Sequence, residues 1–164
     1  MSSGAMDAYQ GLKGCGIGLV ASVPCINMRE LIDLVRADPQ IEHLAVTREE
    51  EGVGICAGYH LGGRRAAILM QNSGLGNSIN ALASLDMLYG IPLLMIISHR
   101  GVEGEQVSAQ VPMGQLTVPL LEAMGLPCIV PEAGGVEQSI AQAWEEAERR
   151  GCPSTVLVRP EVWR

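Results

Sequence analysis

Six short apolar runs recur along the chain, each bounded by glycine, proline or polar residues: "GIGLVASVP", "EHLAVT", "RRAAILMQ", "IPLLMIIS", "LPCIVP" and "PSTVLVRP". Between them lie stretches whose apolar residues return at helical spacing: "MRELIDLVRA", "EEGVGICAGYHLGG", "NSINALASLDMLYG" and "GVEQSIAQAWEEAERRG". Near-continuous apolar strands alternating with helices predict an α/β fold, a doubly wound, mostly parallel sheet of about six strands with helices on both faces. No linker, repeat or low-complexity segment interrupts the pattern, and the 164 residues read as one domain, residues 1–164.

In such folds ligands sit at the carboxyl ends of the strands. Four junctions there are rich in polar groups: "ASVPCINMRE", with Asn27 as an expected N-cap, "VTREEEG", "QNSGLGNS", and the long segment "SHRGVEGEQVSAQVPMG". In "NSGLGNS", Gly74 and Gly76 permit close backbone approach, and Asn77 or Ser78 is expected to begin the next helix. A tight turn with a cap explains that segment as well as a binding site does. It is neither a dinucleotide fingerprint nor a P-loop.

"REEE" at 48–51 suits the acidic first turn of a helix. Glu49 stands at the end of a strand, where an inward-facing carboxylate is desolvated and disposed to share a proton with a bound base. Arg100 either pairs with a carboxylate of this acidic chain or grips an anionic ligand through its planar fork. His43, His60 and His99 show no metal-ligand spacing, so no metal ligands are assigned. Trp144 and Trp163 read as packing residues.

Composition narrows the classes. Hydrophobic residues make up 48% and aromatics 3%, with no Phe, so the core rests on aliphatic side chains and Met. A net charge of −7, with scattered Lys and Arg, argues against nucleic acid as a partner. The five cysteines lack paired spacing and read mostly as small buried residues. No apolar run reaches the roughly 18 residues of a membrane span. The start lacks the basic-then-apolar order of a secretory signal, so the expected location is the cytoplasm.

The stretches "ASVPC", "TREEEGVGICAGYHLGGRRAAILMQNSGLGNSINALASL", "IPLLMIISHRG" and "AQVPMG" resemble the alpha-subunit family of sulfopyruvate decarboxylases. The resemblance runs from about Leu19 to Trp163, and phosphonopyruvate decarboxylases share "QNSGLGN". It implies a pyrimidine-binding domain of a thiamine-diphosphate-dependent decarboxylase, in which segment 71–77 lines the cleft for cofactor and substrate. Glu49, nine residues before Gly58, matches the glutamate that bonds the aminopyrimidine. The role so implied for it is catalytic: to protonate the ring nitrogen so that the exocyclic amine can take the thiazolium proton. Pro24, Ser73 and Gly74 are implied beside the cofactor; Arg100, Gln71, Asn27, Gln110 and Cys25 are implied around an anionic 2-keto acid.

The chain holds no Gly-Asp-Gly motif, the family's holder of diphosphate and magnesium. Resemblance therefore implies magnesium held by a partner, a beta subunit carrying the diphosphate-binding domain, and further self-association into a higher hetero-oligomer. Arg48 and His99 stand where phosphonopyruvate decarboxylases typically show Asn and Trp, which favours sulfopyruvate as substrate. A phosphonopyruvate decarboxylase subunit, or a non-catalytic regulatory domain of the same fold, is the alternative.

Overall fold

A computed structural model describes residues 2–163. Six strands, β1 (Leu19–Ser22), β2 (Glu42–Ala45), β3 (Ala66–Gln71), β4 (Leu93–Ser98), β5 (Cys128–Ile129) and β6 (Pro153–Val158), form one sheet in the order β2-β1-β3-β4-β6-β5. Every pairing is parallel. Each of the six apolar runs in the sequence supplies one strand.

Side-chain alternation along the strands builds two cores. Val20, Leu69, Leu94, Ile96 and Val156 pack beneath the helices α1 (Ser3–Gly14), α2 (Arg29–Ala37) and α6 (Val136–Arg150). Ala21, Ile68, Met70, Met95, Ile97 and Leu157 pack beneath α3 (Glu49–Leu61), α4 (Asn72–Ala81) and α5 (Val111–Ala123). Both faces are covered, so β3, β4 and β6 are buried along almost their whole length, while β2 is an exposed edge. Trp144 and Trp163 pack in the first core, as expected of them. Cys15, Cys25 and Cys56 are buried; Cys128 is exposed and Cys152 intermediate.

The chain runs outward from β1 to β2 on one side and from β3 to β4 on the other. The carboxyl ends of β1 and β3 therefore flank the topological switch point, where a crevice opens in this class of sheet. At Gly52 a Cβ would meet Ile68 Cδ1 at 2.8 Å and Val46 Cγ2 at 3.3 Å. The missing side chain lets the first turn of α3 lie directly on the sheet and carries Glu49 inward with it.

Three expectations need correcting. Helix α4 begins at Asn72, immediately after β3, rather than at Asn77 or Ser78; packing outweighs the poor helix propensity of its two glycines. Asn27 does not cap α2: Met28 occupies that position, and Asn27 sits in a preceding 3₁₀ turn, Ile26–Met28. The long segment after β4, expected as one polar junction, is helical at its end, since α5 starts at Val111 with Pro112 in its first turn, where a missing N–H costs nothing.

Beyond α4 the helix widens into a π turn, Leu82–Met87. It carries Asp86, fully buried and with no hydrogen-bond partner for either carboxylate oxygen among the described residues. Burial pushes this carboxyl up from its ordinary 3.8 to about 7. The folded state then holds a proton that the unfolded chain has released, so stability falls as pH rises from about 4 to about 7. Asp86→Asn removes the titration. Urea unfolding of the variant is expected to gain roughly 2–3 kcal/mol on wild type between about pH 5 and about pH 8; parallel pH profiles would show the acid to be partnered.

Candidate active site

Glu49 is the first residue of α3 and only 8% exposed. Its Oε2 accepts from Asn77 Nδ2 at 3.2 Å, and among the described residues no donor reaches Oε1. A Cβ on Gly74 would overlap Glu49 Cγ, Cδ and Oε1. The close approach read at Gly74 is thus to a carboxylate of the same chain, whereas Gly76 faces Met113 at ordinary contact distance. Two helix N-termini, α3 and α4, converge on this one acid. A buried carboxylate with one oxygen left free fits a protonatable ring nitrogen.

The other two glutamates turn elsewhere. Glu51 accepts from Thr47 N at 3.0 Å and Thr47 Oγ1 at 2.9 Å, closing the helix start. Glu50 pairs with Arg48 at 2.6 Å. The acidic first turn is real, and within it Glu49 alone is buried.

The end of β3 feeds a second cluster. Gln71 Nε2 donates to Ser73 Oγ and to Gln110 Oε1, both at 2.9 Å. Asn72, fully buried, accepts from Arg100 N at 3.1 Å and donates to Arg100 O at 3.0 Å and Thr117 Oγ1 at 2.9 Å. Asn27 Nδ2 donates to Ser98 Oγ at 3.0 Å, tying the turn after β1 to the end of β4.

Arg100 is committed to a partner within the chain. Its Nε and Nη2 reach the two oxygens of Glu105 at 2.6 and 2.8 Å. Together with the amides of Val107 and Gly101, the guanidinium holds the Glu105 carboxyl well below the usual range. The pairing alternative therefore holds, yet Arg100 Nη1 has no hydrogen bond among the described residues. A cavity of about 440 Å³ opens beside it, lined also by Asn27, Glu105 and Glu161.

Pro24 and Cys25 face a different space, a groove of about 720 Å³ between α2 and β2 shared with Ser22, Arg29 and His43. Ser22 Oγ lies 2.9 Å from His43 Nε2 there. Ile26 borders both spaces, and Glu49 lines neither. The chain joins Glu49 with Gly74, and Gln71 with Ser73 and Gln110, but neither of these two spaces takes in all the candidates. Buried His99 has Nε2 3.1 Å from Gly114 O and, among the described residues, Nδ1 without a partner. Among the described residues, no group of three or more His, Cys, Asp or Glu is placed to hold a metal, and no helix is long and apolar enough to cross a membrane.

Sequence reasoning missed Asn77, Asn72 and Glu105 as site residues. Asn77, five residues after Asn72 within one helix, carried a signal only once α4 was known to start at Asn72.

The family described as "Thiamine pyrophosphate enzyme, N-terminal TPP binding domain" matches residues 3–143. The "Sulfopyruvate decarboxylase subunit alpha" of Methanothermobacter thermautotrophicus is 48% identical over 156 residues, covering 94% of each chain. A "Phosphonopyruvate decarboxylase" of Streptomyces viridochromogenes is 42% identical over 120 residues, 73% of this chain and 30% of that protein. Among solved structures, a 2-oxoglutarate:ferredoxin oxidoreductase from Magnetococcus marinus superposes with a TM-score of 0.79 at 15% identity, over 99% of this chain and 29% of that one. That last likeness concerns the fold alone.

Gly74→Ala is expected to displace the Glu49 carboxylate while leaving α4 helical, since alanine is the better helix former by about 1 kcal/mol. Circular dichroism should be unchanged, and thiamine diphosphate affinity of the assembled enzyme, followed by calorimetry, should fall about tenfold. Wild-type affinity would show that Gly74 does not set the position of Glu49.

Proposed function

Because the chain belongs to the thiamine pyrophosphate enzymes, matching their N-terminal TPP binding domain, we propose that it is the alpha subunit of a decarboxylase that converts sulfopyruvate to sulfoacetaldehyde and carbon dioxide, a step towards coenzyme M. One observation carries the reading: the buried Glu49, with one oxygen held by Asn77 and the other without a donor among the described residues. The chain acts in this reading as one pyrimidine-binding domain working in the cytoplasm.

Thiamine diphosphate, when bound, supplies the carbanion equivalent that adds to a 2-keto carbon and takes up the electrons released by decarboxylation. Glu49 would hold the proton at the aminopyrimidine nitrogen through Oε1. Asn77 fixes the other oxygen, and Gly74, with no side chain, leaves the space that the carboxylate fills. Ser73 and Pro24 would flank the ring, while Gln71, Gln110, Asn27 and Cys25 would border the substrate. Arg100 would present its unused Nη1 edge to the sulfonate.

Magnesium has no acidic ligand set among the described residues. In this reading magnesium and diphosphate are held by a beta subunit, within a higher hetero-oligomer. The "subunit alpha" name of the methanogen relative supports a partner of this kind. The likeness to a phosphonopyruvate decarboxylase keeps that keto acid as the second reading.

Two outcomes test this. The isolated chain should decarboxylate nothing, and carbon dioxide release should require a partner with the diphosphate site; turnover by the chain alone would sink the two-subunit reading. In the assembled enzyme Glu49→Gln should slow turnover by roughly a hundredfold or more, with Glu50→Gln and Glu51→Gln nearly silent. Hydrogen–deuterium exchange at the thiazolium carbon separates this loss from a loss of substrate binding. Unimpaired exchange in Glu49→Gln would remove the catalytic role.

A further inference from the structure

The carboxylate of Glu105 has no place in the reading so far, yet it is among the most heavily bonded side chains near the site. It takes the Nε and Nη2 edge of Arg100 at 2.6 and 2.8 Å and also accepts from Gly101 N at 3.1 Å and Val107 N at 3.0 Å. The side chains of the pair are 17% and 6% exposed. Four hydrogen bonds in a shielded place make a fixture rather than a surface ion pair, whose contribution is usually small. Around the adjoining cavity stand one arginine and three carboxylates, Arg100 against Glu103, Glu105 and Glu161.

We propose that Glu105 is a specificity-determining residue, which biases the Arg100 site towards a singly charged sulfonate and away from a doubly charged phosphonate. The inference rests on the reading that Arg100 meets the substrate's anionic head. Glu105 leaves the Nη1 edge of the guanidinium open and fixes its plane, so one anion can still be gripped. Its own negative charge repels that anion in proportion to the anion's charge. A phosphonate near neutral pH therefore suffers about twice the repulsion felt by a sulfonate. Desolvation adds to the bias, because it rises more steeply with charge than the attraction to a neutralised pair does.

The test compares sulfopyruvate and phosphonopyruvate as substrates of the chain assembled with its partner subunit. Glu105→Gln should raise kcat/KM for phosphonopyruvate relative to sulfopyruvate by about tenfold, the scale of one screened charge–charge term at close range. The change should lie mainly in KM. Glu105→Asp keeps the charge while disturbing the loop, and should leave the ratio within about twofold of wild type. In wild type, lowering the pH to about 5 protonates the phosphonate to its monoanion and should lower the KM for phosphonopyruvate relative to that for sulfopyruvate. An unmoved ratio in Glu105→Gln, or an equal shift in Glu105→Asp, overturns the inference, as does a wild-type KM ratio flat with pH. Turnover of neither keto acid by the wild-type assembly overturns the underlying functional reading instead, and the inference falls with it.

Discussion

The contact between Gly74 and the Glu49 carboxylate fixes the geometry of everything around it. Any side chain at position 74 would have to occupy the space that Glu49 fills. Two helix starts, from β2 and from β3, are thereby held at closest approach, with their N-termini turned to the same acid. Gly52 does the corresponding work beneath, letting α3 rest on Ile68 and Val46. Replacing either hydrogen by a methyl group would separate a helix from what it packs on. An isolated carboxylate is expensive to bury; here the amide of Asn77 and two helix N-termini offset part of that cost, with no donor on the second oxygen among the described residues.

The strands were legible because parallel sheets covered on both faces demand unbroken aliphatic runs, and "AAILMQ" and "LLMIIS" can hardly be anything else. The helix limits were less legible. Gly74 and Gly76 look like loop residues until the carboxylate against Gly74 is known, so α4 was expected about a turn and a half too late. Helix α5 was hidden by Pro112 and Pro119, and α1 by a short, mixed sequence without a clear apolar stripe. In each case long-range packing decided what local preference left open.

The same limit applies at the site. That Glu49 turns inward was legible from its place at the end of a strand, a local signal, while its match to a cofactor glutamate came only through the family resemblance. The pairing of Arg100 was not, because two readings of an arginine after a strand predict the same residues and differ only in where a nearby glutamate turns. Asn72 gave no sign of its role either. An asparagine after a strand reads as a cap or a turn residue, whereas here its amide is buried against a neighbouring chain segment.

Asn72 has a further consequence. With its Oδ1 accepting from Arg100 N and its Nδ2 donating to Arg100 O, the side-chain amide imitates a peptide group. It adds one more rung beside β4 after β3 has already turned into a helix. The backbone of Arg100 is thus held as if still in the sheet, while its side chain projects beyond it. Much of the conformational entropy of that arginine is surrendered when the chain folds. Were Arg100 to meet an anion, as proposed, the cation would already be aimed, and most of the ordering that usually weakens such an encounter would have taken place beforehand.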